Sequence, residues 1–181
     1  MTGFFLAIGK QGSGKTLFMV KLLVDNAINK IPVFSNITLY GLDYQKITLS
    51  DRVKDPNVIK ILDKLDQDPD FFNGSIMLID EIHLDLNSLD FMRKNNRRLQ
   101  VFFSQLRKRK ILLLATSQYL LNVDVRIRRQ CKNVFEMTEI KDSVFQVITH
   151  EIDGYYSQEI SRYYIKLSQY FSYYDTNEIV L

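Results

Sequence analysis

The chain has 181 residues, of which 46% are hydrophobic and 25% charged, with only three prolines and seven glycines. This composition is typical of a globular protein and excludes a disordered or collagen-like chain. Cys131 is the single cysteine, so an internal disulfide is excluded, and one cysteine with two histidines cannot form a usual zinc site. The sequence contains no run of about 18 apolar residues, the length that a transmembrane helix needs. The chain length favours a single domain over residues 1–181.

Short apolar runs alternate with amphipathic segments along the first two thirds of the chain. Residues 4–8 predict a buried strand, and residues 16–30, after a glycine loop, predict a helix. Three later apolar or β-branched runs predict further strands, and two segments with apolar residues at helical spacing predict helices. The strands are predicted at 32–41, 75–79 and 111–115, and the helices at 57–65 and 97–109. The rest of 42–73, and residues 85–95, are predicted to be irregular.

The last third of the chain has a different pattern. Asp124 is placed to cap a short helix that carries three arginines. Residues 133–140 and 143–152 alternate apolar and polar side chains on either side of Lys141 and Asp142, and this pattern predicts an antiparallel hairpin. The remaining tail is rich in tyrosine.

The residues after the first strand match the pattern GxxxxGK[ST] in full. Glycines at these positions let successive backbone N–H groups point at one phosphate chain, and the start of the following helix adds a partial positive charge there. We therefore predict that Lys15 contacts the β- and γ-phosphates of ATP and that the Thr16 hydroxyl is a Mg²⁺ ligand. The predicted nucleotide-binding residues are Gly9, Lys10, Gln11, Gly12, Ser13, Gly14, Lys15, Thr16 and Leu17.

Two carboxylates, Asp80 and Glu81, directly follow the apolar strand 75–79. A buried parallel strand ends at the same sheet edge as the glycine loop, so Asp80 is expected beside Thr16, where it would support the Mg²⁺. Glu81 is then expected to face the γ-phosphate and to act as general base toward the attacking water. His83 is given a structural role only.

The motifs and the alternation of strands with helices together predict the fold. Strands that are apolar throughout are buried on both faces, which implies a parallel sheet covered by helices on both sides. A strand encoded between the loop and the acids is typical of the P-loop proteins with an extra strand and a catalytic glutamate. We predict a P-loop NTPase of RecA/ASCE type, a three-layer α/β/α sandwich with a mostly parallel central sheet, extended by a C-terminal antiparallel hairpin.

Polar residues further along complete the predicted site. Gln118, at the tip of the strand after Glu81, is expected to lie between Glu81 and the γ-phosphate and to sense that phosphate; the alternative is a simple turn residue. Hydrolysis also needs positive charge in the transition state, which an arginine from a neighbouring subunit commonly supplies. Arg126, Arg128 and Arg129 are the candidates for this arginine finger, with Arg126 preferred, and each also suits an ordinary surface or a DNA contact.

Positive charge is concentrated in one segment. Residues 93–132 contain 12 lysines and arginines and one acid, Asp124, whereas the net charge of the whole chain is only +3. Such polarisation predicts a surface that meets a polyanion, and a solvated helix face with one subunit interface is the alternative. No base-reading motif is visible, so contacts with the phosphate backbone are expected. The bases that would line a nucleic-acid channel are Arg93, Lys94, Arg97, Arg98, Arg107, Lys108, Arg109 and Lys110.

Several segments occur together in the order GKQGSGKT, VFSNITL with Asn36, IDEIH, LLLATSQ, DVRIRRQC and YYDTNE. In this combination the chain resembles the FtsK–HerA superfamily of DNA-pumping ATPases, and within it the viral genome-packaging ATPases and the Zot-like (zonula occludens toxin-like) phage assembly ATPases. The resemblance implies nucleotide and Mg²⁺ ligands at Lys15 and Thr16, a metal-supporting acid at Asp80, a catalytic base at Glu81 and a sensor at Gln118. It also implies a homo-oligomeric ring, a hexamer or pentamer, with an ATP site at each subunit boundary.

The function expected from this resemblance is a Mg²⁺-dependent ATP hydrolase that translocates double-stranded DNA into a viral capsid. It would act in the cytoplasm of an infected host cell or in association with the virion, with double-stranded DNA, further copies of the chain and capsid proteins as partners. One alternative is a Zot-like ATPase that drives virion assembly or extrusion at a membrane. Zot-like proteins usually carry a transmembrane segment and a further domain, and neither is found in this sequence, so packaging is the preferred expectation. A second alternative is a nucleotide-gated binding protein that barely hydrolyses ATP.

Overall fold

The computed structural model describes residues 2–27, 31–50, 53–84, 94–153 and 156–175. The irregular segment predicted at 85–95 and the end of the tyrosine-rich tail therefore lie largely outside the described residues, as do Arg93 and the side chain of Lys94. Within the described ranges, no helix is both long and apolar enough to cross a membrane.

The described strands form one mixed sheet with the order β4-β3-β2-β5-β6-β1-β7-β8-β9. All pairings from β4 to β7 are parallel, and β8 and β9 add antiparallel strands at one edge. The strands are β1 (Gly3–Ile8), β2 (Val33–Ser35), β3 (Gln45–Thr48), β4 (Ile59–Lys60), β5 (Ile76–Ile79), β6 (Leu112–Ser117), β7 (Cys131–Lys141), β8 (Val144–Asp153) and β9 (Tyr156–Lys166). The predicted mostly parallel sheet with an antiparallel extension is confirmed.

Helices cover both faces of this sheet. Along β1, Phe4 and Leu6 belong to one core and Phe5 and Ala7 to the other, as the period-2 alternation of a strand requires. The helices are α1 (Lys15–Asn26), α2 (Ile61–Gln67), α3 (Lys94–Ser104) and α4 (Val125–Arg128). Apolar side chains of α1 fill the core that contains Phe5, whereas α2, α3 and α4 contribute to the core that contains Phe4. The three-layer α/β/α arrangement follows from this division.

The order of the central strands brings the predicted motifs to one edge. β6 lies between β1 and β5, with Leu114 paired to Phe5 on one side and to Leu78 on the other. Because these strands are parallel, the loop after β1, the acids after β5 and the residues after β6 all meet at the carboxyl edge of the sheet.

The structure corrects several predicted boundaries. The strand expected at 32–41 is shorter, the helix at 57–65 is α2 preceded by β4, and the helix at 97–109 ends at Ser104, where a series of turns leads to β6. The segment 42–73 also contains β3, whose short and half-exposed sequence gives little periodicity. The predicted hairpin is present as β7 and β8, with Asp142 and Ser143 at positive φ in its turn.

The antiparallel extension consists of β7, β8 and β9, whereas only the hairpin of β7 and β8 was predicted. β9 pairs with β8 along almost its whole length. Its described side chains are nearly all exposed. A strand that buries neither face is not required to alternate apolar and polar residues, so the usual sequence signal is missing.

Candidate functional site

The loop between β1 and α1 is shaped to receive an anion. Its three glycines, Gly9, Gly12 and Gly14, have positive φ angles of 146°, 76° and 83°. A Cβ at Gly9 would lie 2.5 Å from the Met137 carbonyl oxygen, and one at Gly14 would overlap the Phe145 ring. The fold therefore requires glycine at both positions. Gly14 is also the N-cap of α1, so the loop ends at the positive end of a helix dipole.

Two polar side chains of the loop are buried. Lys15 donates a hydrogen bond from Nζ to the carbonyl of Lys10, at 3.1 Å. The Oγ of Ser13 has no hydrogen-bond partner among the described residues. Leaving such a group unsatisfied costs about 1–3 kcal/mol, so the loop has donors in place that a phosphate group would satisfy.

Hydrogen bonds from both sides hold Asp80 at the end of β5. The hydroxyls of Thr16 and Thr116 both donate to its Oδ1, each at 2.7 Å. Asn36, just after β2, accepts from the Asp80 N–H at 2.8 Å and donates to the Asp80 carbonyl at 2.9 Å. The structure thus places Thr16 and Asp80 together, and their hydroxyl and carboxylate oxygens are the hard ligands that Mg²⁺ prefers.

Glu81 follows in a constrained backbone conformation. Its φ of 51° is in the left-handed region, and its N–H donates to the Thr116 hydroxyl at 2.8 Å. Burial and the nearby Asp80 charge raise the pKa of Glu81, whereas Lys15 acts in the opposite direction. A carboxylate with a raised pKa beside a phosphate-binding loop is suited to accept a proton.

His83 lies beside Glu81, although the sequence analysis gave it no part in catalysis. Its Nδ1 is 3.2 Å from Glu81 Oε2 and 3.2 Å from the Ser117 hydroxyl. Burial and the Lys15 charge lower the pKa of His83, with Asp80 opposing them, which favours a neutral ring. The only signal in the sequence was its position three residues after Asp80.

The loop and the acids after β5 line one cleft of about 410 Å³, within the range of about 300–1,000 Å³ that is usual for ligand sites. Asp80 and Glu81 line it together with most of the predicted nucleotide-binding residues. Those residues are Gln11, Gly12, Gly14, Lys15, Thr16 and Leu17. The first half of the loop faces a second cleft, lined by Gly9, Lys10, Gln11, Gly12 and Ser13.

The C-terminal segment and the antiparallel extension also line the first cleft, which was not predicted. Phe171, Tyr174 and Asp175 lie there with Glu139 and Phe145. The segment is held by a β-bridge between Leu39 and Tyr174. Burial, together with the Asp80 charge, raises the pKa of Tyr174 to about 12. The YYDT sequence contributes to the family resemblance, but nothing in its local pattern indicates that it reaches the site.

Gln118 is beside the loop but not in the cleft that holds Glu81. Its carbonyl accepts a hydrogen bond from the Gly9 N–H at 3.3 Å. Its exposed side chain lines the second cleft, with residues 9–13 and 136–139. The role of Gln118 as a sensor of the γ-phosphate stays a prediction.

The three candidate finger arginines line neither of these clefts. Arg126 pairs with the buried Asp124, with Nη2 to Oδ2 at 3.0 Å and Nε to Oδ1 at 3.2 Å. Asp124 caps α4 as predicted, accepting from the Arg126 N–H at 2.8 Å. Arg128 is half-buried and Arg129 is exposed. Within one chain, the structure does not bring Arg126, Arg128 or Arg129 to the glycine loop.

The fold and the site define this chain as a P-loop NTPase. It belongs to the zonular occludens toxin family: the family model described as "Zonular occludens toxin (Zot)" matches residues 3–177. The predicted resemblance to Zot-like ATPases is thereby confirmed. Comparison with proteins of curated function gives no match.

Solved structures share the fold at low sequence identity. The N-terminal domain of zonular occludens toxin from Neisseria meningitidis has a TM-score of 0.71 and 17% identity, covering 97% of this chain and 100% of that domain. B204, the DNA-packaging ATPase from Sulfolobus turreted icosahedral virus, has a TM-score of 0.57 and 13% identity, covering 86% of this chain and 95% of B204. The genome packaging NTPase B204 from Sulfolobus turreted icosahedral virus 2, in complex with ATP-gammaS, has a TM-score of 0.53 and 12% identity, covering 86% of this chain and 95% of that one. These neighbours show that the chain has the fold of known ATPases.

Proposed function

We propose that this chain is a Mg²⁺-dependent ATPase domain, spanning residues 1–181, whose turnover moves nucleic acid during the assembly of a phage particle. The observation that carries the proposal is the convergence of Lys15, Thr16, Asp80 and Glu81 in one cleft at the carboxyl edge of the sheet. Membership of the Zot family favours a Zot-like assembly or extrusion motor as its biological setting.

Each group in the cleft has a distinct part in hydrolysis. Thr16 and Asp80 would hold Mg²⁺, which neutralises charge on the β- and γ-phosphates when bound. The Lys15 ammonium would break its hydrogen bond to the Lys10 carbonyl and donate to phosphate oxygens instead. Glu81 would take a proton from a water whose oxygen attacks the γ-phosphorus, while the bond from that phosphorus to the bridging oxygen breaks and ADP leaves with the electron pair.

The Glu81→Gln variant tests hydrolysis directly. Loss of a positioned base should slow single-turnover hydrolysis of bound ATP by about 10²–10⁴-fold, with little change in ATP affinity. Glu139→Gln is the matched control, because Glu139 lines the same cleft from β7. Equal rates for Glu81→Gln and the native chain would instead support the nucleotide-gated binding protein.

The proposal includes a homo-oligomeric ring, a hexamer or pentamer, with a finger from Arg126, Arg128 or Arg129 of a neighbouring subunit. To act in this way, Arg126 would have to break its ion pair with Asp124 and bind the phosphate of the neighbouring site instead. Mixing Glu81→Gln subunits with subunits that lack one arginine tests the arrangement. Each variant alone should be inactive, but at some boundaries of a mixed ring the arginine-deficient subunit supplies an intact Glu81 and the Glu81→Gln subunit supplies an intact finger. Recovery of turnover upon mixing would identify that arginine; no recovery for any of the three would exclude a finger among them.

The basic segment gives the proposed nucleic-acid surface. Arg107, Lys108 and Lys110 are exposed in the turns before β6, at the amino edge of the sheet and thus opposite the nucleotide cleft. Arg98 and Arg109 are instead engaged with Asp66 and Asp70 of the same chain. Loss of both Arg107 and Lys108 to alanine should weaken binding to double-stranded DNA and reduce the log–log salt slope by roughly 2. Substitution of both Lys141 and Lys166 by alanine is the control, because it removes the same two positive charges from another part of the surface.

A second candidate is packaging of double-stranded DNA into a capsid, which the exposed basic turns favour. The domain would then act in the cytoplasm of an infected cell or on the virion, with capsid proteins as further partners. Turnover measured with double-stranded DNA, with single-stranded DNA and without DNA separates the candidates. Strong stimulation by duplex alone supports packaging, whereas turnover that responds only to a membrane-bound assembly partner supports the Zot-like motor.

A further inference from the structure

The 3₁₀ turn Ile82–Leu84 fixes His83 relative to the candidate general base. The Leu84 N–H donates to the Glu81 carbonyl at 2.9 Å, and Ile82 is fully buried in the core beneath the turn. Only 13% of the His83 side chain is exposed. The imidazole is therefore held by its backbone and its surroundings at one position beside Glu81.

The hydrogen bonds around His83 assign its proton. The Ser117 hydroxyl donates to the Tyr119 carbonyl at 3.0 Å, and because a hydroxyl has one hydrogen, its oxygen is left to accept from His83. Glu81 in its ionised form can only accept. Both groups 3.2 Å from Nδ1 are thus acceptors. The arrangement requires a hydrogen on Nδ1, which in the neutral ring leaves Nε2 bare.

The Glu81 carboxylate needs this donor. Its Oε2 is buried and makes no well-aligned hydrogen bond in the described ranges, to His83 included. A carboxylate oxygen removed from water without a donor is strongly disfavoured. The Nδ1 of His83 lies 3.2 Å from Oε2, so an N–H on this nitrogen is close enough to be that donor once the two groups align.

The same contact connects Glu81 to the tip of β6. Thr116 accepts from the Glu81 backbone, Ser117 accepts from His83, and the carbonyl of the next residue, Gln118, accepts from Gly9 in the phosphate-binding loop. Glu81 is thus bonded to β6 directly by its main chain, and its carboxylate lies beside His83, which contacts Ser117 of the same strand. Because the end of β6 contacts both Glu81 and the phosphate-binding loop, the Glu81 carboxylate would keep its orientation relative to the loop.

We propose that His83 is a positioning residue for Glu81, and that its Nδ1–H, supported by Ser117, holds the carboxylate in the orientation from which it takes the proton of the attacking water. This inference rests on the proposed hydrolysis. The role differs from that of a packing histidine, because it depends on one N–H donor and not on the volume of the ring.

Substitutions at His83 separate these roles. The amide nitrogen of asparagine is bonded to Cγ, as Nδ1 is in histidine, so His83→Asn keeps an N–H donor at about the same place. His83→Asp has the shape of the asparagine variant, but its ionised carboxylate can only accept hydrogen bonds. We expect His83→Ala to slow single-turnover hydrolysis by about 10–100-fold without changing ATP affinity. His83→Asn should recover most of the rate, and His83→Asp should not. His150→Ala is the control, since this second histidine pairs with Glu136 on the extension.

The ring nitrogens give a readout that does not require activity. The chain has two histidines, so a two-bond ¹H–¹⁵N spectrum of the folded protein at neutral pH contains two ring systems, and His150→Ala assigns them. We expect the Nδ1–H form for His83. An Nε2–H form would overturn the proposal.

The outcomes distinguish this inference from the proposed function. If the native chain hydrolyses ATP and Glu81→Gln does not, a native rate in His83→Ala, or equal rates in His83→Asn and His83→Asp, would refute the positioning role alone. If the native chain does not hydrolyse ATP, the proposed function fails and the positioning role fails with it. The spectrum then reports only whether the contact exists.

Discussion

The parallel half of the sheet and the antiparallel extension contribute to the site in different ways. In the parallel half, the ends of β5 and β6 and the start of α1 fix Asp80 through hydrogen bonds from Thr16 and Thr116. The extension contributes by packing, since Phe145 of β8 lies against the phosphate-binding loop at Gly14. The groups proposed for hydrolysis are therefore held by buried strands, whereas the extension packs against the loop from outside.

Among the substitutions that compare these two regions, the largest effect is expected from removing the loop lysine. Lys15→Met should lower ATP turnover by about 10²–10³-fold, because a buried cation aimed at developing phosphate charge is lost. The fold should survive, since the aliphatic part of the side chain is kept. Steady-state hydrolysis and thermal unfolding together measure both effects.

The matched control is on the extension. Lys166→Met removes one positive charge from exposed β9 and should leave turnover unchanged. A loss in Lys166→Met similar to that in Lys15→Met would contradict the division between a chemical half and a packing half.

A smaller effect is expected where the two regions meet. Gly12→Ala and Gly14→Ala both place a side chain at positive φ, which costs roughly 1–2 kcal/mol. At Gly12 nothing lies within 4 Å of the new Cβ, whereas at Gly14 it overlaps Phe145. Gly14→Ala should therefore lower the free energy of unfolding by about 1–3 kcal/mol more than Gly12→Ala, as measured by urea denaturation.

A double-mutant cycle identifies the cause of that difference. Phe145→Leu should remove much of the extra cost of Gly14→Ala, because the smaller side chain relieves the overlap. Additive effects of the two substitutions would mean that β8 does not press on the loop, and the extension would then lose its assigned part in shaping the site.

The sequence predicts the central strands of the parallel half, misses β3 and β4 toward its edge, and predicts the extension only in part, for a physical reason. Central strands such as β5 and β6 are buried on both faces, so β5 is apolar throughout and β6 is apolar from Leu112 to Ala115. β9 is exposed and is specified mainly by its register with β8, a long-range pairing that leaves little local pattern.

The candidate site shows the same limit. Loop glycines and adjacent acids form local motifs whose convergence follows from strand order. Other contacts depend on how β6 and the C-terminal segment pack against the rest of the sheet. β6 brings Thr116 to Asp80 and Ser117 to His83, and the C-terminal segment brings Tyr174 to the cleft. These contacts join residues far apart in the chain, and no spacing rule in a single sequence encodes them.

The smallest effect is expected in α4, the connection between the two regions. Burial raises the pKa of Asp124, but hydrogen bonds from the Arg126 side chain and N–H, with the charges of Arg126 and Arg128, lower it below its ordinary value of 3.8. Asp124→Ala should reduce the free energy of unfolding at neutral pH by about 1 kcal/mol through loss of the cap, and Asp124→Asn should cost less because it retains the cap.

The pH dependence of this effect has a definite sign. Because the folded-state pKa of Asp124 is the lower one, its ionic contribution is complete above the unfolded value near 3.8 and is lost as the pH falls through the folded value. The difference in unfolding free energy between the native chain and Asp124→Asn should thus be constant from neutral pH to about pH 5 and narrow below about pH 4. Asp142→Asn, at the exposed tip of the hairpin, is the control. A difference that instead widened on acidification would mean that Asp124 is not stabilised by Arg126, and the connection between the two regions would then rest on packing alone.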